Sequence, residues 1–425
     1  MKIFQQLSIY TFVSFLGAGI SFFLMPYLSH FIEPVDYGIL SILNSFITLI
    51  IPLIGLVASS IISVEFYKMK DKSEFASLFS SVQLIPIIPA LVFLLLTFLF
   101  PGALSNFLEI PPHKQYWLSI SVLVALFTIY FETLIMFNVV SKKPLHYAYF
   151  NIAKLIIEIS LTIWFVSGLR MGWEGRMWSW VISTGILGIA SFFYFNKFNL
   201  ITTRIKASYF WAGVMFGLPL ILHTIGKFVI NQSNRIFIAK LDSVTEAGIY
   251  NVGAQVGMVI LLLVNAAGNF YQPYLYERLA DLQEKGKRQI VIMTYGIIAA
   301  LLLALISITL LTPLFFKYLV DPKYIKATIY VFWVGLGYFF WGIYIMFAGF
   351  IFYQKKTNFL GALAILNVAI SLVLNYYLIH NFGSLGAAYA SVISFIIVAV
   401  IVIWKADKYF KLPWLSLPLN YLLKK

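Results

Sequence analysis

The sequence predicts an all-α polytopic membrane protein, with twelve transmembrane helices in two pseudo-symmetric six-helix bundles. Three observations predict it. The 425-residue chain is 61% hydrophobic and 11% charged, against roughly 25% charged in an average soluble domain. Apolar stretches of about 20 residues recur from end to end, each able to cross a hydrocarbon core about 30 Å thick. The chain also echoes itself at an offset of about 210 residues, the mark of a duplicated half. His30-Phe31-Ile32-Glu33-Pro34-Val35-Asp36-Tyr37-Gly38-Ile39 is answered by Lys240-Leu241-Asp242-Ser243-Val244-Thr245-Glu246-Ala247-Gly248-Ile249, and Ile135-Met136-Phe137 by Ile345-Met346-Phe347. Gly172-x-x-Gly175 with Val181-Ile182-Ser183 is answered by Gly383-x-x-Gly386 with Val392-Ile393-Ser394.

In order, the spans fall at about 7–29, 38–63, 77–101, 116–139, 147–167, 177–196, 209–238, 247–270, 290–312, 328–353, 358–378 and 387–404. The first apolar run is too long for the core of a signal peptide and reads as an uncleaved span. The echoed turns at 30–39 and 240–249 lead into the second and eighth spans. The Ile-Met-Phe triplets sit in the fourth and tenth, and the Gly-x-x-Gly pairs open the sixth and twelfth. Glycine and proline within spans (Pro52, Gly55, Pro86, Pro89, Gly217, Pro219) mark close helix packing. Trp173, Trp178 and Trp180 read as an interfacial aromatic belt.

Charge sets the orientation. With the N-terminus in the cytoplasm, 20 of the 30 Lys and Arg fall on the cytoplasmic side, seven on the opposite side and three inside spans. Such an excess predicts that both termini are cytoplasmic, and it accounts for the net charge of +14. Nucleic acid is therefore not an expected partner; the bilayer is. An even number of spans per half makes the repeats parallel, about an axis along the membrane normal. The predicted divisions are 1–206, 207–404 and a cytoplasmic or interfacial tail, 405–425. The charged link at 271–289 is the one sizeable cytoplasmic loop.

Several chemistries are excluded. The chain has no Cys, so thiolate metal sites and disulfides are out. It has no G-x-x-x-x-G-K-[ST] and no H-E-x-x-H. No DxD-like acidic pair lies near a membrane face, and no external loop is large enough to hold acceptor chains. The expectation is a transporter without cofactor or metal, not an enzyme.

Five ionisable residues fall inside the spans: Glu132 in the fourth, Lys154 and Glu158 in the fifth, Lys227 and Arg235 in the seventh. Each costs a few kcal/mol at bilayer depth unless paired or hydrated. Lys154 and Glu158 lie about 40° apart on a helical wheel. His223, Lys227, Asn231, Asn234 and Arg235 share an arc of about 120° and a stripe some 18 Å long, which lipid cannot accept. The duplication provides a control. In the first span the seventh-span stripe is matched by Val13, Gly17, Ser21, Leu24 and Met25, and in the eleventh Lys154 and Glu158 are matched by Asn367 and Ser371. The scaffold thus accepts uncharged residues at each equivalent place.

Gly217-Leu218-Pro219-Leu220-Ile221-Leu222-His223, followed by Asn234-Arg235-Ile236-Phe237-Ile238, resembles the seventh-span signature of Wzx-type polysaccharide flippases. These export O-antigen and capsule repeat units and share a superfamily with multidrug MATE transporters and the lipid II flippase. Tyr37-Gly38, Gln272-Pro273, and Lys356 with Asn367 and Asn375 fit the same pattern. One departure is Asn234, where the family commonly has Asp. The resemblance implies a MATE-like fold in the bacterial inner membrane. It also implies an oligosaccharide carried on undecaprenyl pyrophosphate as substrate, moved by alternating access. Lys154, Lys227 and Arg235 are then expected to meet the diphosphate, and His223, Asn231, Asn234, Asn367 and Asn375 to line the cavity. Glu132 and Glu158 would couple to a proton or sodium gradient. Glycan polymerase or assembly proteins are the implied partners of a monomer. The competing readings are a drug or cation antiporter on the same fold, and a membrane glycan polymerase.

Overall fold

A computed structural model describes residues 3–280 and 282–414. Asp281 of the charged link and residues 415–425 of the tail lie outside the described residues. Among these residues the chain is helical, with no strand, and twelve helical stretches are long and apolar enough to cross a membrane. Each coincides with one of the expected spans. They run Ile9–Ser29, Pro34–Gly55, Lys72–Leu99, Pro112–Val140, Pro144–Gly168, Gly172–Lys197, Ala207–Leu241, Val244–Ala280, Glu284–Leu319, Pro322–Tyr353, Thr357–Phe382 and Ser384–Tyr409. The chain divides into two compact units, Met1–Lys240 and Leu241–Lys425.

The echoes in sequence are conserved turns. Gly172 opens one helix and Gly383 precedes another, with φ of +58° and +59°, a conformation that costs glycine nothing. Three residues on, the second glycine lets the new helix pass close to the old one. A Cβ on Gly175 would come within 2.9 Å of Phe165, and one on Gly386 would collide with the Leu378 carbonyl. The turns after the fourth and tenth spans match as well. Lys142 and Lys355 take left-handed φ of 54° and 57°. Their successors close the helices through Lys143 N–H to Asn138 O at 2.8 Å and Lys356 N–H to Ile351 O at 3.2 Å. This is the Schellman closure, with lysine where glycine is usual.

In the first unit the second and third spans are both interrupted. The second stops at Gly55 and resumes at Ser60, through Leu56 and Val57 at φ of 49° and 50°. Two adjacent non-glycine residues in this region, one β-branched, are a costly arrangement that surrounding packing must hold. The third span breaks before Pro86, and the freed Gln83 carbonyl accepts the Tyr130 hydroxyl at 3.1 Å. Both breaks meet the seventh span at its glycines. A Cβ on Gly213 would press on Ile85 and Val82, and one on Gly217 would strike the Leu56 carbonyl. Close packing is therefore the role of Gly217, as its sequence context suggested.

The seventh span is tied to the first unit at both ends too. The linker before it is laced to the third span. Ser80 Oγ donates to Leu200 O and accepts from Thr202 N–H, Ser81 Oγ accepts from Lys206 N–H at 3.0 Å, and Ser77 Oγ bonds Arg204 O. Glu74 takes Lys206 Nζ at 2.7 Å and the Tyr209 hydroxyl at 2.5 Å. At the far end Lys240 Nζ pairs with Glu109 at 2.7 Å.

The second unit repeats the plan without the severe breaks. Asp242 caps the twelfth span through Ser384 N–H at 2.6 Å, while Tyr330 bridges Ser384 Oγ at 2.6 Å and Glu246 at 3.2 Å. The start of the tail is docked: Tyr295 donates to Trp414 O at 2.7 Å, and the Trp414 ring packs against Phe347 and Phe350.

Candidate functional site

The fifth span, Pro144–Gly168, and the sixth, Gly172–Lys197, cross the first unit side by side. The proline at the start of the fifth fits the first helical turn, where its missing N–H costs nothing. Lys154 and Glu158 share a face, with Nζ 3.7 Å from Oε2. The stronger partner of Glu158 comes from the sixth span. Arg176 Nη2 reaches Oε1 at 2.7 Å and Trp180 Nε1 donates to the same oxygen at 2.9 Å. Arg176 Nη1 donates to Thr162 Oγ1 at 2.8 Å, and its guanidinium lies 4.8 Å over the Trp180 ring.

Arg176 is 8% exposed, which corrects its expected place among the seven external cations; the expected sixth span begins one residue after it. The helix begins at Gly172, a full turn earlier, which carries Arg176 into the span. Of the three tryptophans expected in an interfacial belt, Trp173 is buried and Trp178 and Trp180 are half-buried. Trp180 serves Glu158, and Trp173 is buried against Trp117. A signal for Arg176 lay in the repeat itself, since the Gly-x-x-Gly register pairs it with Ala387.

Glu132, in the fourth span, is exposed and makes no hydrogen bond or ion pair among the described residues. Its one electrostatic neighbour is Lys154, whose Nζ also lies 5.4 Å over the ring of the adjacent Phe131. Glu132 lies about 12 Å along its helix from Val140, and Lys154 about 15 Å along its own from Pro144, at 1.5 Å per residue. They therefore lie at similar depth beneath the turn that carries Lys142 and Lys143.

The seventh-span stripe divides in two. His223 and Lys227 are exposed, Lys227 bears electrostatically on His223, and the Lys227 ammonium makes no hydrogen bond or ion pair among the described residues. Asn231 is half-buried and donates to the Lys227 carbonyl at 2.9 Å. Asn234 and Arg235 are buried, with Arg235 Nη1 donating to Asn231 O at 3.0 Å. In the second unit Asn367, Ser371 and Asn375 form a buried seam on the eleventh span, in which Asn375 Nδ2 donates to Ser371 O at 2.9 Å. The Oδ1 atoms of Asn367 and Asn375 have no partner among the described residues.

Chemically, the first unit offers an exposed cation at Lys227, a half-buried one at Lys154 and, at Glu132, a carboxylate with no hydrogen bond or ion pair among the described residues. Hydrated or desolvated anions of the phosphate class suit such groups, with lysine acting as a point charge. Among the described residues no cluster of His, Asp and Glu has the make-up of a metal site.

Known proteins resemble this chain in family and fold. A family model described as "Polysaccharide biosynthesis protein" matches residues 3–278. A protein of the Lsg locus of Haemophilus influenzae is 25% identical over 287 residues, covering 66% of this chain and 67% of its own. A second membrane protein of that organism is 24% identical over 384 residues, covering 88% and 89%. Among solved structures, the lipid II flippase MurJ in an inward closed conformation superposes with a TM-score of 0.76 at 14% identity, over 97% of this chain and 90% of its own. An inward-facing multidrug MATE transporter gives 0.64 at 12% identity, over 96% and 98%. At these identities the structural likeness speaks for the fold: a twelve-span, MATE-like membrane protein.

Proposed function

The chain belongs to the polysaccharide biosynthesis protein family, and we propose that it flips a lipid-linked oligosaccharide across the bacterial cytoplasmic membrane, with both termini in the cytoplasm. The carrier would be undecaprenyl diphosphate, whose tail stays in lipid while the anionic sugar headgroup crosses by alternating access. The observation that carries this reading is Lys227, an exposed ammonium within a span that lacks any acidic partner among the described residues. An unneutralised cation at membrane depth is expensive, and binding an anion there recovers the cost.

Within this reading His223, Lys227 and Lys154 meet the diphosphate, and Asn231 meets sugar hydroxyls. Asn234 and Arg235 in the first unit, and Asn367 and Asn375 in the second, are buried in the described conformation and would reach the cargo only as the helices move. Glu158 is engaged by Arg176 and Trp180, so of the two candidate acids Glu132 is the one left to take up and release a proton. Assembly proteins and a glycan polymerase would receive the product from a monomeric transporter. Starting the sixth span at Gly172 brings in Glu174 with Arg176, so the excess of one cation expected within the spans stands, at four against three. That balance supports an anionic cargo over the cationic one a drug antiporter takes.

The test is surface-glycan complementation in a strain lacking its own repeat-unit flippase. Restored surface glycan, with clearance of the repeat unit from the inner leaflet, is the expected result. Continued inner-leaflet accumulation beside stably expressed protein rejects the assignment.

A further inference from the structure

Glu132 and Lys154 carry an inference about the sign of any proton linkage, which rests on the flippase reading for its anionic cargo. Lys154 stands between two carboxylates in unequal condition. Glu158 has one oxygen filled by Arg176 and Trp180 and meets Lys154 through the other at 3.7 Å. Glu132 has no partner among the described residues. Tyrosines apart, the charged or titratable groups on the elements packed against the fourth span are Asp36 on the second, Glu65 and Lys68 on its continuation, His146, Lys154 and Glu158 on the fifth, and Glu174, Arg176 and Lys197 on the sixth. Of these, Lys154 bears on Glu132, its Nζ lying 5.4 Å over the ring of Phe131, the residue before Glu132.

We propose that Glu132 and Lys154 form a site at which a proton and an anionic phosphate headgroup bind together rather than in exchange. Ionised, Glu132 claims part of the Lys154 charge, and the four groups Glu132, Lys154, Glu158 and Arg176 sum to zero. Protonated, it leaves the cluster with one net positive charge and Lys154 open to a phosphate oxygen. The carboxylate and the phosphate compete for one ammonium, so the proton that silences the first favours the second. By reciprocity, a bound phosphate raises the proton affinity of Glu132 by the same factor. Exchange transport needs the opposite sign, in which proton entry expels cargo. Glu132 is thereby a pH-dependent gate on headgroup binding, and not the acid that drives export by antiport.

The experiment uses the purified full-length protein in nanodiscs, with geranylgeranyl diphosphate as probe at pH 6 and pH 8. Glu132→Gln and Lys154→Gln are compared with wild type at each pH, so that the titration of the probe itself cancels. Wild type should bind more weakly than Glu132→Gln at pH 8, by up to about ten-fold, and the gap should narrow at pH 6, within the usual range for coupled sites. Lys154→Gln should bind about ten-fold more weakly than Glu132→Gln at both. Infrared difference spectra give an independent readout, in which a protonated-carboxyl signal absent from Glu132→Gln should grow when the diphosphate is added. A Glu132→Gln variant that keeps the wild-type pH profile overturns the proposal, as does a signal that shrinks on adding diphosphate. Failure of every form to bind the probe overturns the flippase reading instead, while the pH dependence of the carboxyl signal, compared between wild type and Lys154→Gln, still reports on the pair.

Discussion

Arg176 Nη2 lies 2.7 Å from Glu158 Oε1, joining the sixth span to the fifth inside the first unit. Their side chains are 10% and 14% exposed, so neither charge has water to fall back on. Removing one partner of such a pair costs more than removing both, because the survivor is left buried and unpaired. Arg176→Met should destabilise the protein by about 3 kcal/mol, and the double variant Arg176→Met/Glu158→Gln by clearly less. Thermal unfolding in detergent, followed by the fluorescence of the nearby tryptophans, measures both. Equal losses would mean that the pair has little energetic weight.

Gly217 is the point where the seventh span touches the interrupted second span. Gly217→Ala sets a methyl group against the Leu56 carbonyl, a backbone atom that cannot rotate away. A loss of about 2 kcal/mol is expected from overpacking. Gly361→Ala is the matched control. Its Cβ would meet nothing within 4 Å, and alanine there should stabilise the eleventh span by up to about 1 kcal/mol. Melting temperatures moving in opposite directions are the expected result.

Lys142 and Lys355 hold left-handed backbone at equivalent turns. Lys142→Gly and Lys355→Gly relieve that conformation, and each should gain about 0.5–1 kcal/mol. The two gains should add, since the sites lie in separate units with no partner in common. Denaturation of the single and double variants checks the sum.

Lys227 and Arg235 sit two helical turns apart and should fail differently when truncated. Lys227→Ala should leave the melting temperature within a degree or two while cutting glycan export about ten-fold or more, the loss of one charge-assisted contact. Arg235→Ala removes a buried guanidinium and its bond to Asn231 O, so it should lower stability by about 1–3 kcal/mol. Export assays normalised to folded protein separate the two. Normal export by Lys227→Ala would remove the main support for a cationic path.

Much of this architecture could be read from residues alone, because bilayer thickness dictates span length and lysine placement dictates side. The repeat was legible for a similar reason. Gly172 and Gly383 are required by φ near +60°, and a requirement of that kind persists through duplication when packing residues drift. The partners of charges were not legible. Glu158 with Lys154 shows in sequence as a pair four residues apart, whereas its bond to Arg176 depends on where the sixth helix begins and how two helices face each other. The interruption at Leu56 and Val57 was equally hidden, since neither residue favours a left-handed backbone. It persists because the notch at Gly217 and the closure of Ala58 N–H on Gly55 O accommodate it.

The ties on the seventh span have a consequence for how the gene can be cut. Duplication places the seam before residue 207, yet the compact unit continues to Lys240. Two co-expressed fragments divided at 240/241 keep the serine lacing, the Gly217 notch and the Lys240–Glu109 pair within one polypeptide. Fragments divided at 206/207 must rebuild all but the first of these between separate molecules. Ancestry and mechanics thus assign one helix to different halves, and the split that reassembles best will follow the mechanics.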